Sequence, residues 1–134
     1  MKKTYHGSCH CGAVKFEVDL DLAAGTGKCN CSICTKTRNW SASVKPEQFR
    51  LLQGEAELTS YQFSSNSIQH LFCSRCGVKS FGRGDIPQIG GKFVSIMVAT
   101  LDDVTPEELI SAPVQYFDGR HNAWERAPAE TRHL

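Results

Sequence analysis

The 134-residue chain lacks a long hydrophobic run, an excess of either charge and a secretory leader. Its longest apolar stretch, residues 93–99 (FVSIMVA), falls far short of the ~20 residues that a membrane-spanning helix needs. The 15 lysines and arginines nearly balance the 14 aspartates and glutamates, and no basic stripe suggests nucleic acid binding. No apolar segment of the signal-peptide kind follows the first residues, MKKTYH. We therefore expect a cytoplasmic protein with neither membrane nor nucleic acid as a partner.

Internal repeats, low-complexity segments and linkers are also absent from the chain. Its length is typical of one domain. We predict a single domain over residues 1–126, followed by a polar C-terminal tail over residues 127–134.

Most of the chain has the residue pattern of β-strands, so the predicted fold class is mainly β with one short helix. Alternation of apolar and polar residues, or enrichment in β-branched and aromatic residues, marks the predicted strands. They cover residues 13–18, 40–44, 49–52, 58–63, 68–72, 77–82, 92–101 and 114–117. The helix is predicted over residues 102–111, because Thr105 can cap its first turn and Pro106 suits the first helical position.

Seven cysteines in three tight clusters are the strongest chemical signal in the chain. Thiolates at two- and three-residue spacing converge on one point when the backbone turns tightly, as a tetrahedral zinc ion requires. A disulfide framework would need an oxidising compartment and would leave one thiol unpaired. An iron–sulfur cluster is disfavoured because the C-x2-C-x2-C-x3-C-P run is absent. The clusters are Cys9-x-Cys11, Cys29-x-Cys31-x2-Cys34 and Cys73-x2-Cys76.

The first and last clusters resemble two zinc knuckles, since a glycine follows each pair and permits a positive φ. We predict that these four thiolates close one structural zinc site, made by Cys9, Cys11, Cys73 and Cys76. Such a site carries a formal charge of −2. Three cations nearby in the sequence would either offset this charge or be solvated: Lys15, Arg75 and Lys79.

The middle cluster provides only three thiolates, Cys29, Cys31 and Cys34, within six residues. We predict that they hold a second zinc ion with one open position, which makes this site catalytic and labile. Three thiolates weaken zinc as a Lewis acid toward water, and the soft environment suits a sulfur ligand. The alternative is a second structural site, completed by a histidine or another side chain.

Residues next to the middle cluster are candidates for binding a substrate. Lys36 and Arg38 could hold a carboxylate and Trp40 could line a pocket, although each also suits ordinary surface or core. His10 and His121 are candidates for acid or base, since imidazole can transfer protons near pH 7.

Two further residues fit structural roles better. We expect His70 to be an ordinary strand residue, in the core or at the surface. We expect Trp124 to pack as core rather than to close over the site.

Three motifs together closely resemble the glutathione-dependent formaldehyde-activating enzyme family, which also includes centromere protein V. They are residues 7–16 (GSCHCGAVKF), 29–34 (CNCSIC) and 72–77 (FCSRCG). The resemblance extends from about residue 8 to about residue 124. It implies a small zinc-bound β-tent fold, with a structural zinc at the residues matching the two knuckles and a catalytic, labile zinc at those matching the middle cluster.

The resemblance also implies an activity, namely the joining of glutathione and formaldehyde to S-hydroxymethylglutathione and the reverse carbon–sulfur lyase reaction. The expected partners are a small thiol, with glutathione as one candidate, and a small aldehyde; a homodimer stays open. Two other functions remain as alternatives. In one, both zinc ions only hold loops of a binding or scaffold module, and in the other the middle cluster is a zinc or redox sensor.

Overall fold

The computed structural model describes residues 1–134, which form ten strands and two short helices. The strands are β1 (Lys3–Ser8), β2 (Lys15–Leu20), β3 (Thr26–Cys29), β4 (Trp40–Val44), β5 (Phe49–Gln53), β6 (Leu58–Tyr61), β7 (Ile68–Cys73), β8 (Lys79–Ile86), β9 (Gly91–Met97) and β10 (Val114–Phe117). The helices are α1 (Ser32–Thr37) and α2 (Pro106–Ser111). The predicted mainly β fold is confirmed.

The strands form two sheets. A three-stranded antiparallel sheet has the order β1-β2-β5, and a seven-stranded sheet has the order β10-β3-β4-β9-β8-β7-β6. All neighbours in the larger sheet are antiparallel except β10 and β3, which are parallel. Because of these directions, β3, β7, β9 and β10 all end at the same edge of the larger sheet.

An aromatic cluster joins the two sheets. Phe16 of β2 and Phe49 of β5 stack with their ring centroids 5.5 Å apart, and Phe49 lies 4.6 Å from Phe81 of β8. Phe16 and Phe81 are fully buried. Along β2 the buried residues Phe16, Val18 and Leu20 alternate with outward-facing polar residues, as the sequence pattern predicts.

Three elements were not predicted from the sequence: β1, β3 and α1. In β1, Gly7 takes an inward position where an apolar residue would be expected, so the alternation is hidden. A Cβ at Gly7 would collide with the Phe16 ring and lie 2.8 Å from the backbone oxygen of Thr100, which explains why this position carries no side chain. The short α1 begins inside the middle cysteine cluster, directly after Cys31, and none of its residues is buried.

The predicted helix forms as α2, although it is shorter than expected and begins at Pro106. Thr105 caps it, with the side chain of Thr105 accepting from the Glu108 amide and the Glu108 carboxylate accepting from the Thr105 amide. The Glu108 carboxylate also accepts a hydrogen bond from the hydroxyl of Tyr5, which attaches α2 to β1. No helix in the structure is long and apolar enough to cross a membrane.

We expect the Phe16→Ala variant to be destabilised by about 3–5 kcal/mol, because it removes the central ring between the sheets and leaves a cavity. The matched control is Leu52→Ala on the neighbouring β5, where the side chain is 54% exposed and the expected change is within about 0.5 kcal/mol. Urea unfolding followed by circular dichroism measures both free energies of unfolding. Equal losses in the two variants would contradict this account of the core.

Candidate functional site

Four sulfur atoms from the two predicted knuckles converge at one edge of the larger sheet. The Sγ atoms of Cys9, Cys11, Cys73 and Cys76 all lie within 4.8 Å of one another. The Cys9–Cys11 and Cys11–Cys73 pairs are 3.7 and 3.6 Å apart. Sulfur atoms bound tetrahedrally at the usual zinc–sulfur distance of ~2.3 Å would be separated by about 3.8 Å. The four sulfurs are therefore spaced as a metal would hold them, and none is joined in a disulfide.

The backbone turns as the glycines predict. Gly12 and Gly77 have φ values of +80° and +78°, and their amides donate to the carbonyls of Cys9 and Cys73. Amide groups also point at sulfur, with Val14 N donating to Cys9 Sγ at 3.3 Å. Hydrogen bonds from backbone amides, first that of Cys11, lower the pKa of Cys76 to about 6. These amides thus favour the thiolate form of Cys76, whereas the neighbouring thiols raise the pKa of Cys11.

The other three cysteines form a second cluster. The Sγ atoms of Cys29, Cys31 and Cys34 lie within 4.8 Å of one another, and no further cysteine, histidine or carboxylate joins this group. Cys29 ends β3, while Cys31 and Cys34 belong to the turn into α1 and its first residues. Hydrogen bonds from the neighbouring thiols of Cys29 and Cys34 hold the pKa of Cys31 well below its ordinary range.

The two clusters differ in how closely their cysteines pack against the main hydrophobic core. Cys9 and Cys73 are 3% and 0% exposed and belong to the main hydrophobic core, against which Cys76 also packs. In the second cluster only Cys29 is buried, whereas Cys31 and Cys34 are half-buried and lie outside that core. The first cluster therefore packs more closely against the core than the second does, although Cys11 of the first cluster is exposed.

The charge of the second cluster acts on Lys79, although this residue follows the first cluster's last cysteine in the sequence. The negative charges of Cys34 and Cys31 raise the pKa of Lys79, opposing the larger effect of burial, which lowers it. Arg75 does remain beside the first cluster, where the charges of Cys11 and Cys73 act on it, although its guanidinium pairs with Glu57 at 3.0 Å.

The side chain of Lys79 is held by a buried histidine. Its Nζ donates to Nδ1 of His70 at 2.8 Å, and no carboxylate pairs with it. The ring of His70 stacks on Phe63, with the centroids 5.6 Å apart. His70 is thus a strand residue, as expected, but it also holds the Lys79 ammonium in place. Sequence spacing gave no signal of this pair, because β7 and β8 bring the two residues together through their register.

The residues predicted to bind a substrate are distributed differently. Arg38 lines a cavity of about 20 Å³ beside Cys29 and Cys34, together with residues of the C-terminal tail. Lys36 is exposed on α1. Trp40 instead packs against the core, with its Nε1 donating to Thr26 Oγ1 at 2.8 Å. The expectation that Trp40 lines a pocket at this cavity is therefore not met.

The turn after β10 lies against the second cluster. Trp124, which we expected to pack in the core, is 51% exposed and its ring covers Gly119. A Cβ at Gly119 would lie 2.7 Å from Cys29 Sγ and 2.5 Å from the Trp124 ring. The turn also carries His121 beside Asp118, whereas His10 is exposed on the first knuckle.

Both clusters suit a soft metal ion such as zinc by the chemistry of their donors. The first offers four sulfurs, which is a closed tetrahedral set, and the second offers three, which leaves one position for another ligand. Because a side chain at Gly119 would collide with Cys29 Sγ, the close approach of this turn to the second cluster requires a glycine at that position.

A comparison with known protein families matches residues 4–119 to the model described as glutathione-dependent formaldehyde-activating enzyme. The chain belongs to this family. Nearly the whole of both sheets and all seven cysteines of this family member lie within the matched residues. The resemblance inferred from the three cysteine motifs is thereby confirmed.

Two relatives of this family member extend the comparison. A Halomonas elongata protein named "Putative glutathione-dependent formaldehyde-activating enzyme" is 37% identical over 78 residues, which are 52% of this chain and 50% of that protein. The chain thus spans about half the length of this curated relative. The crystal structure of a Rhodobacter sphaeroides protein shares the fold, with a TM-score of 0.70 and 32% identity over 82% of this chain and 99% of that one.

We expect Cys76→Ala to lose one metal ion per chain and to be destabilised by at least about 4 kcal/mol, because loss of a structural metal is among the most damaging substitutions. Cys31→Ser is the matched control, since it removes a sulfur outside the core and should leave the unfolding transition nearly unchanged. Elemental analysis and denaturant unfolding report both properties. A Cys76→Ala protein with unaltered metal content and stability would disprove the structural role.

We expect Lys79→Met to weaken metal binding at the second cluster by about tenfold, or about 1.4 kcal/mol, which is within the range of one unit charge acting through a partly solvated site. Lys36→Met, on the exposed face of α1, removes the same charge and should change the affinity far less. Titration with Co²⁺, read from the thiolate-to-cobalt absorption, measures the affinity. Equal affinities for Lys79→Met and the unaltered protein would show that Lys79 does not act on this cluster.

Proposed function

We propose that the chain catalyses the reversible addition of a small thiol to a small aldehyde, with glutathione and formaldehyde as the first candidates. The reverse direction is a carbon–sulfur lyase reaction. The observation that carries this proposal is the asymmetry between the clusters, namely four sulfurs beside the core and three sulfurs in a half-buried turn. The names of the family and of the Halomonas protein support the choice of substrates.

The three sulfurs of Cys29, Cys31 and Cys34 would hold the catalytic, labile zinc, and the four of the first cluster would hold the structural one. When bound at the second cluster, zinc favours the thiolate form of a sulfur ligand. The protein itself provides the soft donor set, which suits sulfur better than water. Because all seven thiols are free, the proposed setting is a reducing, cytoplasmic one.

Charged side chains around the second cluster have separate roles in this proposal. The Lys79 ammonium, held by His70, opposes the negative charge of the thiolates. The Arg38 guanidinium, at the cavity beside Cys29 and Cys34, is placed to bind a carboxylate of the thiol substrate. Lys36, which is exposed on α1 and does not line this cavity, is the weaker candidate for that carboxylate.

We expect the zinc-loaded protein to accelerate exchange between free formaldehyde hydrate and the glutathione adduct. Exchange NMR with ¹³C-formaldehyde measures this rate at equilibrium, so the spontaneous reaction is subtracted directly. Titration calorimetry in two buffers of different ionisation enthalpy should also show proton release when glutathione binds, because the bound thiol becomes a thiolate.

The control is Cys31→Ser, which should retain the structural metal and lose both thiol binding and exchange activity. Cysteine, coenzyme A and mercaptoethanol tested in parallel define the thiol class. If no thiol binds, or if binding persists in Cys31→Ser, the catalytic assignment fails and a zinc-held scaffold becomes the better description.

A further inference from the structure

The turn that follows β10 is hydrogen-bonded to Asn30, which lies between Cys29 and Cys31 of the second cluster. β10 runs parallel to β3, with Phe117 opposite Cys29 in the register. The backbone amide of Asn30 donates to the backbone carbonyl of Phe117, so the residues after each strand also lie side by side. Asp118 and Asn30, which are 88 positions apart in the chain, meet directly beyond the ends of the two strands.

Asn30 fixes this turn with both ends of its side chain. Its Nδ2 donates to Asp118 Oδ1 at 2.9 Å, and its Oδ1 accepts from the backbone amide of Arg120 at 2.9 Å. Asn30 and Asp118 are both buried. The hydrogen bond from Asn30 lowers the pKa of Asp118, which keeps this carboxyl ionised. An ionised carboxylate can only accept hydrogen bonds.

The Asp118 carboxylate determines the protonation of the histidine beside it. Nδ1 of His121 lies 2.9 and 3.0 Å from the two carboxylate oxygens. Since the carboxylate accepts, Nδ1 carries the proton, and Nε2 of the neutral ring is left with its lone pair. Nε2 makes no hydrogen bond within the chain, and the side chain is 67% exposed. This is the arrangement of a histidine that can take up and return a proton.

No other histidine compared with His121 combines a carboxylate at Nδ1, a free Nε2 and a position beside the second cluster. His6 also contacts a carboxylate, Asp103, but its Nε2 faces Glu17 at 3.3 Å and it lies on the smaller sheet. His70 accepts from Lys79 at Nδ1 and is buried. His133 lines the cavity beside Cys29 and Cys34 but has no carboxylate that orients it.

Addition of a thiol to an aldehyde requires one proton to be moved. The sulfur uses one electron pair to form the bond to the carbonyl carbon, the π pair of the C=O bond moves to oxygen, the S–H proton leaves and the oxygen gains a proton. Resting on the proposed function, we propose that His121 transfers the proton at oxygen: the S–H proton leaves to solvent when the thiol binds, and Nε2 takes up one proton from solvent and donates it to the adduct oxygen. The reverse reaction retraces the same steps, and His121 ends each cycle neutral. Asp118 and Asn30 are positioning residues for this step.

We expect His121→Ala to lower the maximal rate of glutathione–formaldehyde exchange by about 100-fold or more, since a positioned acid–base group contributes about 10²–10⁴-fold. The affinity for glutathione, measured by calorimetry, should change by less than about twofold. Added imidazole should restore part of the lost rate, because the exposed side chain leaves an open space when it is removed. His6→Ala, which removes a carboxylate-paired histidine on the smaller sheet, is the matched control and should keep both rate and affinity.

A second measurement does not depend on activity. ¹⁵N NMR of the His121 ring should show the Nδ1-protonated tautomer in the unaltered protein and lose that preference in Asp118→Asn. If the unaltered protein accelerates exchange and His121→Ala is equally active, this inference is overturned while the proposed function stands. A loss of rate that imidazole does not restore, accompanied by lost glutathione affinity, would assign His121 a structural role instead. If the unaltered protein accelerates no thiol–aldehyde exchange, the proposed function and this inference both fail.

Discussion

The convergence of four sulfur atoms at one edge of the larger sheet is the constraint on which the other features depend. It joins the turn between β1 and β2 to the turn between β7 and β8, and therefore ties the smaller sheet to the larger one at a single point. The aromatic contact among Phe16, Phe49 and Phe81 holds the same two sheets together further along. A metal ion bound by the four sulfurs would add its binding free energy directly to that of folding.

The second cluster also consists of cysteines, but its sulfurs lie outside the main hydrophobic core. Its sulfurs sit at a strand end and at the start of a short helix, where Cys31 and Cys34 reach solvent. Charge at this position disturbs no core packing, so the chain can hold charged side chains there. Cys31, whose pKa is lowered by its neighbouring thiols, and Lys79, whose pKa is raised by the charges of Cys34 and Cys31 against the larger effect of burial, are two groups of this kind.

Sequence reasoning gave most of the strands and the grouping of the cysteines, because alternation, spacing and the glycines of the knuckles are local signals. Gly12 and Gly77, for example, take the positive φ that their positions imply. It missed β1 and β3, where Gly7 and Gly27 interrupt the alternation, and it gave no sign that the charge of the second cluster acts on Lys79. The Lys79–His70 and Asn30–Asp118 contacts depend on strand register and on a parallel pairing across the chain, neither of which leaves a trace at short range.

Because β10 pairs with β3, the surroundings of the second cluster are completed later in translation than those of the first. The last ligand of the first cluster, Cys76, emerges from the ribosome well before Asp118, so the four-sulfur set can form while the chain is still growing. The second cluster has all three of its sulfurs by residue 34, yet its support from β10 and the following turn is completed only some 83 residues later, at residue 117. During that interval the three thiols are exposed to metal and oxidants without their final surroundings. A cell that makes this protein must therefore supply the metal, or protect the thiols, during translation.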